Sequence, residues 1–148
     1  SGLYEDAKSA KIWLKNNGVK DKDIILYGES LGTAVAVDLA SKHKFAGIIL
    51  ESPFTSMTRL AQKYYPIFPV KIILKDKFDS INKIQKINSP LFVMHGEEDT
   101  IVPFSMGVEI FEKSNTQKSK YFLKNDDHMM NFDQNLISEI QKFIKSLK

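Results

Sequence analysis

The stretch DIILYGESLGTAVA, Asp23 to Ala36, decides the fold. An apolar run, Ile24 to Tyr27, leads directly into Gly28-Glu29-Ser30-Leu31-Gly32, and a run rich in Ala and Val follows. The pattern predicts strand, tight turn and helix, with Ser30 at the apex. Glycines on both sides of the serine are expected to let strand and helix approach without Cβ clashes. They would hold Ser30 in a strained backbone conformation with its hydroxyl exposed. Ser30 would also stand at a helix N-terminus, where amide N–H groups and the helix dipole favour developing negative charge. A chance G-x-S-x-G in a chain this long has a probability of roughly one in twenty, so the flanking strand and helix carry the reading. The competing phosphate-cradling turn lacks both G-x-G-x-x-G and a Walker lysine.

The sequence has 148 residues, 43% of them hydrophobic, enough for one real core, and one domain is expected over residues 1–148. The net charge of +3 is mild, and Arg59 is the sole arginine among 21 basic residues. Phosphate and base-edge recognition favours the bidentate arginine fork, so this basicity reads as a lysine surface and no nucleic-acid partner is expected. There is no cysteine, which removes disulfides, thiolate metal sites and a cysteine nucleophile together. The compartment stays open, with the cytoplasm or a membrane surface as the expected settings. The chain opens on Ser1-Gly2 without an initiator methionine, as a piece of a longer protein would.

Along the chain, Leu3 to Asn17 has apolar residues near a 3.6-residue spacing and closes on Asn17-Gly18, a helix stop. Strands are predicted at Asp23–Tyr27, Phe45–Leu50, Pro90–His95 and Lys120–Leu123. Helices are predicted at Leu31–Lys42, Ser80–Ile87, Phe104–Lys113 and Asp133–Leu147. Phe45–Leu50 is apolar at every position but Gly47, so both faces should be covered, as in a parallel sheet between helices. Residues 54–79 interrupt the alternation with an aromatic, proline-punctuated insertion.

In such sheets reactive groups gather at the carboxyl ends of the strands. There stand Ser30 after the first strand, Ser52 after the second, Glu97, Glu98 and Asp99 after the third, and Asp126, Asp127 and His128 after the fourth. Serine, acid and histidine follow one another in the chain order of an acyl-transferring triad.

The motifs G-L-Y-E-D-A at Gly2 to Ala7, I-L-Y-G-E-S-L-G-T at Ile25 to Thr33 and E-S-P-F-T-S at Glu51 to Ser56 carry a resemblance, together with S-P-L-F-V-M-H-G-E-E-D-T-I-V-P at Ser89 to Pro103. The chain resembles the C-terminal part of an α/β-hydrolase, similar to the short-capped serine hydrolases that include the α/β-hydrolase-domain depalmitoylases. The resemblance implies a three-layer α/β sandwich with the last four strands of the parallel sheet, the N-terminal strands missing, and residues 54–79 as a short cap. It implies Ser30 as nucleophile, Asp99 as triad acid, His128 as general base and the Leu31 N–H as one half of an oxyanion hole. The other half belongs to a loop upstream of Leu3, so the chain alone is expected to be weakly active or inactive. Its first strand would expose an edge open to self-association. No metal or cofactor is implied. The family usually has a glycine close before the histidine, where this chain reads Asn125-Asp126-Asp127-His128.

Blander roles are expected elsewhere. His95 reads as a packing residue in a turn and His43 as a helix C-terminal cation. Glu97 and Glu98 are alternatives to Asp99, Glu29 suits a local salt bridge, and Asp126 and Asp127 solvate a loop or tune His128. The cap is expected either to pack over the sheet and bury its aromatics, or to line an acyl pocket with Phe54, Tyr64, Phe68 and Ile72. Alternatively, Tyr64, Tyr65, Ile67, Phe68 and Ile72 touch a lipid surface, with Lys71, Lys75 and Lys77 at headgroups. The sequence therefore reads as a serine hydrolase of small-molecule carboxylic esters or thioesters, acting through an acyl-serine. A non-catalytic fragment or pseudo-enzyme serving as a binding or assembly module is the alternative. A serine peptidase is the second, against which the short cap and the lack of a propeller-like domain speak.

Overall fold

The structure, a computed structural model, describes residues 2–147. Its elements run α1 (Gly2–Asn16), β1 (Ile25–Glu29), α2 (Leu31–Ala40), β2 (Gly47–Glu51), α3 (Met57–Tyr64), α4 (Val70–Ile73), α5 (Ile81–Ile84), β3 (Leu91–Gly96), α6 (Phe104–Lys113), β4 (Lys118–Leu123) and α7 (Gln134–Ser146). The four strands lie in the order β1-β2-β3-β4, every pair parallel. This is the parallel sheet with flanking helices that the alternation of elements predicts.

Strand periodicity explains the layering. Ile48 and Leu50 of β2, with Leu91 and Val93 of β3, pack on one face against Val37, Leu39, Ile84 and Ile110 of α2, α5 and α6. The intervening Ile49, Phe92 and Met94 point the other way, onto Leu136 and Phe143 of α7. Successive side chains alternate across a strand, so a strand covered on both faces must be apolar throughout. Two caps fix the last layers: Asp133 accepts the Leu136 N–H at the start of α7. Lys118 donates to the carbonyls of Phe111, Glu112 and Ser114 at the end of α6.

Four expectations are adjusted. β1 begins at Ile25 because Asp21–Asp23 closes a single 3-10 turn through the Ile24 N–H and the Asp21 carbonyl. β4 begins two residues earlier than expected, at Lys118, where its backbone finds register with Leu91. The helix expected over Ser80–Ile87 is one turn, Ile81–Ile84. The amphipathic helix α1 forms, yet none of its residues is buried. Its apolar side chains instead border an open groove of about 380 Å³ against β1 and α2, whose lining includes Leu3, Leu14, Leu26, Gly32 and Leu39.

That groove separates the roles of the two elbow glycines. A Cβ on Gly28 would stand 2.6 Å from the Gly32 carbonyl oxygen and 2.9 Å from the Thr33 Cα, so strand and helix close only over a glycine there. A Cβ on Gly32 would meet nothing within 4 Å. The expectation that both glycines relieve clashes therefore holds for Gly28 alone; Gly32 faces the groove. Gly28→Ala is expected to cost about 1–3 kcal/mol of overpacking. Gly32→Ala, inside a helix, should be neutral or stabilising by about 0.5–1 kcal/mol. Urea unfolding of both variants checks the contrast, and equal destabilisation would refute it.

Candidate active site

β1 ends at Glu29 and α2 starts at Leu31, so the chain reverses through Ser30 alone. Ser30 has φ 48° and ψ −114°, a region that residues with a Cβ rarely occupy. The strain is held by its neighbours. Its N–H donates to the Glu51 carbonyl at 2.9 Å, and its carbonyl accepts from the N–H and hydroxyl of Thr33. Leu31, as first residue of α2, has an N–H with no intrahelical acceptor, available to an oxygen bound beside the serine.

Asp99 follows β3, and its side chain is wholly buried. Its Oδ1 accepts the N–H groups of Ile101 (2.9 Å) and Val102 (2.7 Å). Its Oδ2 lies 2.8 Å from His128 Nδ1 and 3.1 Å from His95 Nε2. The structure thus brings Asp99 and His128 together from loops 29 residues apart in sequence. With Nδ1 carrying the proton donated to Asp99, His128 presents Nε2 as its basic nitrogen. Among the described residues no hydrogen bond joins that nitrogen to Ser30 Oγ; such contacts commonly tighten when substrate binds.

His95 does more than fill a turn. It is fully buried, with Nε2 3.0 Å from the Val102 carbonyl and its ring edge-on to Phe104. A Cβ on Gly107 would come within 2.2 Å of His95 Nδ1, so α6 packs directly on the ring. Desolvation by burial pushes its pKa below the usual 6.5, only partly opposed by the Val102 carbonyl and Asp99. A neutral ring with hydrogen on Nε2 donates to the oxygens it faces.

The histidine loop carries the departure from the expected glycine. Asp127 Oδ1 accepts the His128 N–H (2.7 Å), the Thr100 N–H (2.9 Å) and the Thr100 hydroxyl (3.1 Å). One carboxylate thereby stitches the acid loop to the histidine loop. The N–H groups of Thr100 and then of His128 hold it below the usual carboxylate range. Asp126 adds a second tie, its carbonyl accepting the Glu98 N–H and its carboxylate the Asn131 N–H. Gly96 permits this contact, since a Cβ there would stand 2.2 Å from the Asp126 carbonyl oxygen. Of the two roles expected for Asp127, solvating a loop or tuning His128, the contact to the His128 N–H fits the second; nothing in a linear spacing shows that it also meets Thr100.

Glu51, at the end of β2, is buried, accepts a short hydrogen bond from the Tyr27 hydroxyl and holds the Ser30 N–H through its backbone. Desolvation raises the pKa of both Tyr27 and Glu51. The four side chains expected to line an acyl pocket occupy three different environments. Phe54 is core, packed with Ala34, Val102 and Met106. Tyr64 donates its hydroxyl to the Thr100 and Ile101 carbonyls, tying the cap to the acid loop. Phe68 and Ile72 face solvent. Among the described residues no group of three or more His, Cys, Asp or Glu could hold a metal ion.

Ser30, Asp99 and His128 stand at the ends of β1, β3 and β4 of a parallel sheet with flanking helices, the architecture of the α/β-hydrolase fold. A family model, the prolyl oligopeptidase family, matches residues 3–146, and the chain belongs to that family. It is 40% identical over 114 residues to alpha/beta hydrolase domain-containing protein 17B of Homo sapiens, a match covering 75% of this chain and 38% of that protein. It is 43% identical over 114 residues to protein 17C of Mus musculus, covering 75% and 34%. The chain thus spans little more than a third of the length of these relatives. Among solved structures it resembles an acetyl xylan esterase from Paenibacillus sp. R4 (TM-score 0.78, 16% identity, 97% of this chain and 52% of that one). A Pyrococcus furiosus esterase is also similar (TM-score 0.76, 23% identity, 95% and 60%).

Two outcomes follow, one from the buried His95 and one from the exposed Asp127. For His95, the unfolded chain takes up a proton before the folded one as pH falls. Stability is therefore complete above 6.5 and declines as pH drops below it. A His95→Gln variant should show a shallower decline in Tm over that range; an unchanged slope would count against the assignment. For Asp127, Asp127→Asn keeps an acceptor oxygen and Asp127→Ala removes it. Fluorophosphonate reaction at Ser30 should slow roughly ten- to a hundredfold in the alanine variant and much less in the asparagine variant.

Proposed function

We propose that the chain carries the nucleophile, acid and base of a serine hydrolase that cleaves carboxylic esters or thioesters through an acyl-serine. The observation that carries the reading is the 2.8 Å contact between His128 Nδ1 and buried Asp99, at the same sheet end as a serine strained to φ 48°. Ser30 Oγ attacks the acyl carbon while His128 Nε2 takes its proton. The resulting oxyanion is held by the Leu31 N–H. Collapse expels the alcohol or thiol, which leaves with the proton from His128. Water then attacks the acyl-serine by the same exchange, releasing the acid and restoring Ser30. Asp99 fixes the ring and stabilises the transient imidazolium.

One oxyanion donor is assigned here, and lack of a second typically slows acyl transfer by about 10²–10³-fold. Turnover by this chain is therefore expected to be slow. The name of the matched family favours peptide cleavage as a second reading, since an amide passes through the same tetrahedral step.

The test is fluorophosphonate labelling read by intact mass, with Ser30→Ala, Asp99→Asn and His128→Ala beside the parent chain. One adduct on the parent, none on Ser30→Ala and a loss of at least about 10²-fold in rate for the other two is the expected result. Parallel assays with a nitrophenyl ester, an acyl thioester and a peptide anilide separate the leaving-group classes. Labelling that survives Ser30→Ala would overturn the assignment. No labelling of the parent chain would favour a non-catalytic binding module.

A further inference from the structure

The charge of the molecule is concentrated in its cap. Residues 54–79 hold Arg59, Lys63, Lys71, Lys75 and Lys77 against two acids, Asp76 and Asp79, a net charge of +3 (5 − 2). The whole chain has +3, so the remainder sums to zero (3 − 3). Arg59 is engaged by Glu109 through both carboxylate oxygens, at 2.8 and 3.0 Å, whereas Lys63, Lys71, Lys75 and Lys77 are all exposed.

The same segment displays apolar side chains that a folded surface ordinarily hides. Ile67 is 93% and Ile72 84% exposed, with Tyr65, Phe68 and Ile73 open beside them. The base of the cap is fixed to the molecule. Met57 and Leu60 of α3 pack onto the buried Phe54, Val102 and Met106 cluster. The Met57 N–H bonds the Lys77 carbonyl across the base of the cap. Tyr64 pins its far side to the loop beside Asp99, and exposed Ile101 on that loop and Met129 next to His128 lie at the same end of the sheet.

Aliphatic and aromatic side chains interleaved with lysines are the chemistry of a bilayer interface. The apolar groups enter the acyl boundary while ammonium groups at the ends of long stems stay with anionic headgroups. A nucleic acid would leave the isoleucines unsatisfied, and the one arginine is already paired. We infer that the cap, residues 63–75, docks the protein on an anionic phospholipid surface, with the candidate active site facing that surface. The orientation rests on the proposed triad; the docking does not. A substrate acyl chain would then reach Ser30 from the bilayer, without a deep pocket in the cap.

Co-sedimentation with vesicles tests this on the chain as it stands. Vesicles of phosphatidylcholine containing phosphatidylserine should retain the protein, and vesicles of phosphatidylcholine alone should retain it far less. Raising salt should release it, because lysine–headgroup attraction is screened. Ile67→Ser with Ile72→Ser should weaken binding about tenfold or more. Replacing Lys71 and Lys75 by Gln should weaken it about fivefold per lysine. Both pairs are exposed, and circular dichroism checks that each variant folds.

Ile12→Ser with Trp13→Ser, on exposed apolar positions of α1, should leave binding unchanged. Loss of binding in that variant instead would place the docking face on α1 and overturn the inference. So would failure to bind either vesicle. Self-association in the absence of lipid that the Ile67 and Ile72 substitutions abolish would overturn it too, in favour of a protein interface. Fluorophosphonate labelling of the same samples keeps the two readings apart. Binding without labelling fails the hydrolase reading alone, and labelling without binding fails the docking alone.

Discussion

A buried carboxylate with no exposed side-chain surface is the constraint around which the strand ends are arranged. Asp99 accepts two backbone N–H groups on one oxygen and faces two histidine nitrogens on the other. Left alone in the interior, such a charge would be strongly unfavourable, and each of its partners offsets part of that desolvation. To deliver them, β3 must end at Gly96, the acid loop must curl back so that the N–H groups of Ile101 and Val102 turn to the carboxylate, and the histidine loop must cross over Gly96. His95 supports the arrangement from below, wedged between the carboxylate, the Val102 carbonyl and the helix face opened by Gly107.

Two further acids extend this geometry to the elbow and the cap. Glu51 joins the end of β2 to Ser30 through its backbone and to Tyr27 through its side chain, so the strained turn is braced by the neighbouring strand. Asp127, at the surface, ties Thr100 to His128 and so couples the acid loop to the base it orients. Tyr64 binds the same acid loop from the cap side. The cap is thus mechanically continuous with the site. A surface engaged by its outer residues would bear on the loop that positions Asp99.

Much of this was legible in the chain. A continuous apolar run such as Gly47 to Leu50 implies a strand covered on both faces, and G-E-S-L-G between strand and helix implies an elbow, because few residue patterns satisfy those steric demands. Ser30, the acids Glu97, Glu98 and Asp99, and His128 could be placed at strand ends from order alone, and the resemblance to the α/β-hydrolases chose Asp99 among the acids. Three things could not be read. The role of Gly32 depends on what lies beside α2, and a sequence motif does not say which of its glycines is crowded. Asp127 meets Thr100 from a loop 27 residues away, and the partners of His95, though near in sequence, depend on how the loop after β3 curls back. The direction of Phe54, inward, and of Phe68 and Ile72, outward, depends on how a proline-broken segment settles over the sheet, which period 3.6 or 2 does not encode.

The sequence by itself determined the order and type of the elements and the parallel sheet, and put a serine, a group of acids and a histidine after its strands. These follow from local sterics, hydrophobic periodicity and chain order, which are properties of neighbours along the chain. Only the tertiary structure decided which oxygens and nitrogens meet. It set two histidines on one carboxylate, used an exposed aspartate in place of the expected glycine, and turned the isoleucines of a lysine-rich cap to the outside. Those outcomes depend on the relative placement of loops distant in sequence, such as those 29 residues apart that bring His128 to Asp99. Such placement is fixed by packing and by the need to satisfy buried polar groups, neither of which a linear pattern records.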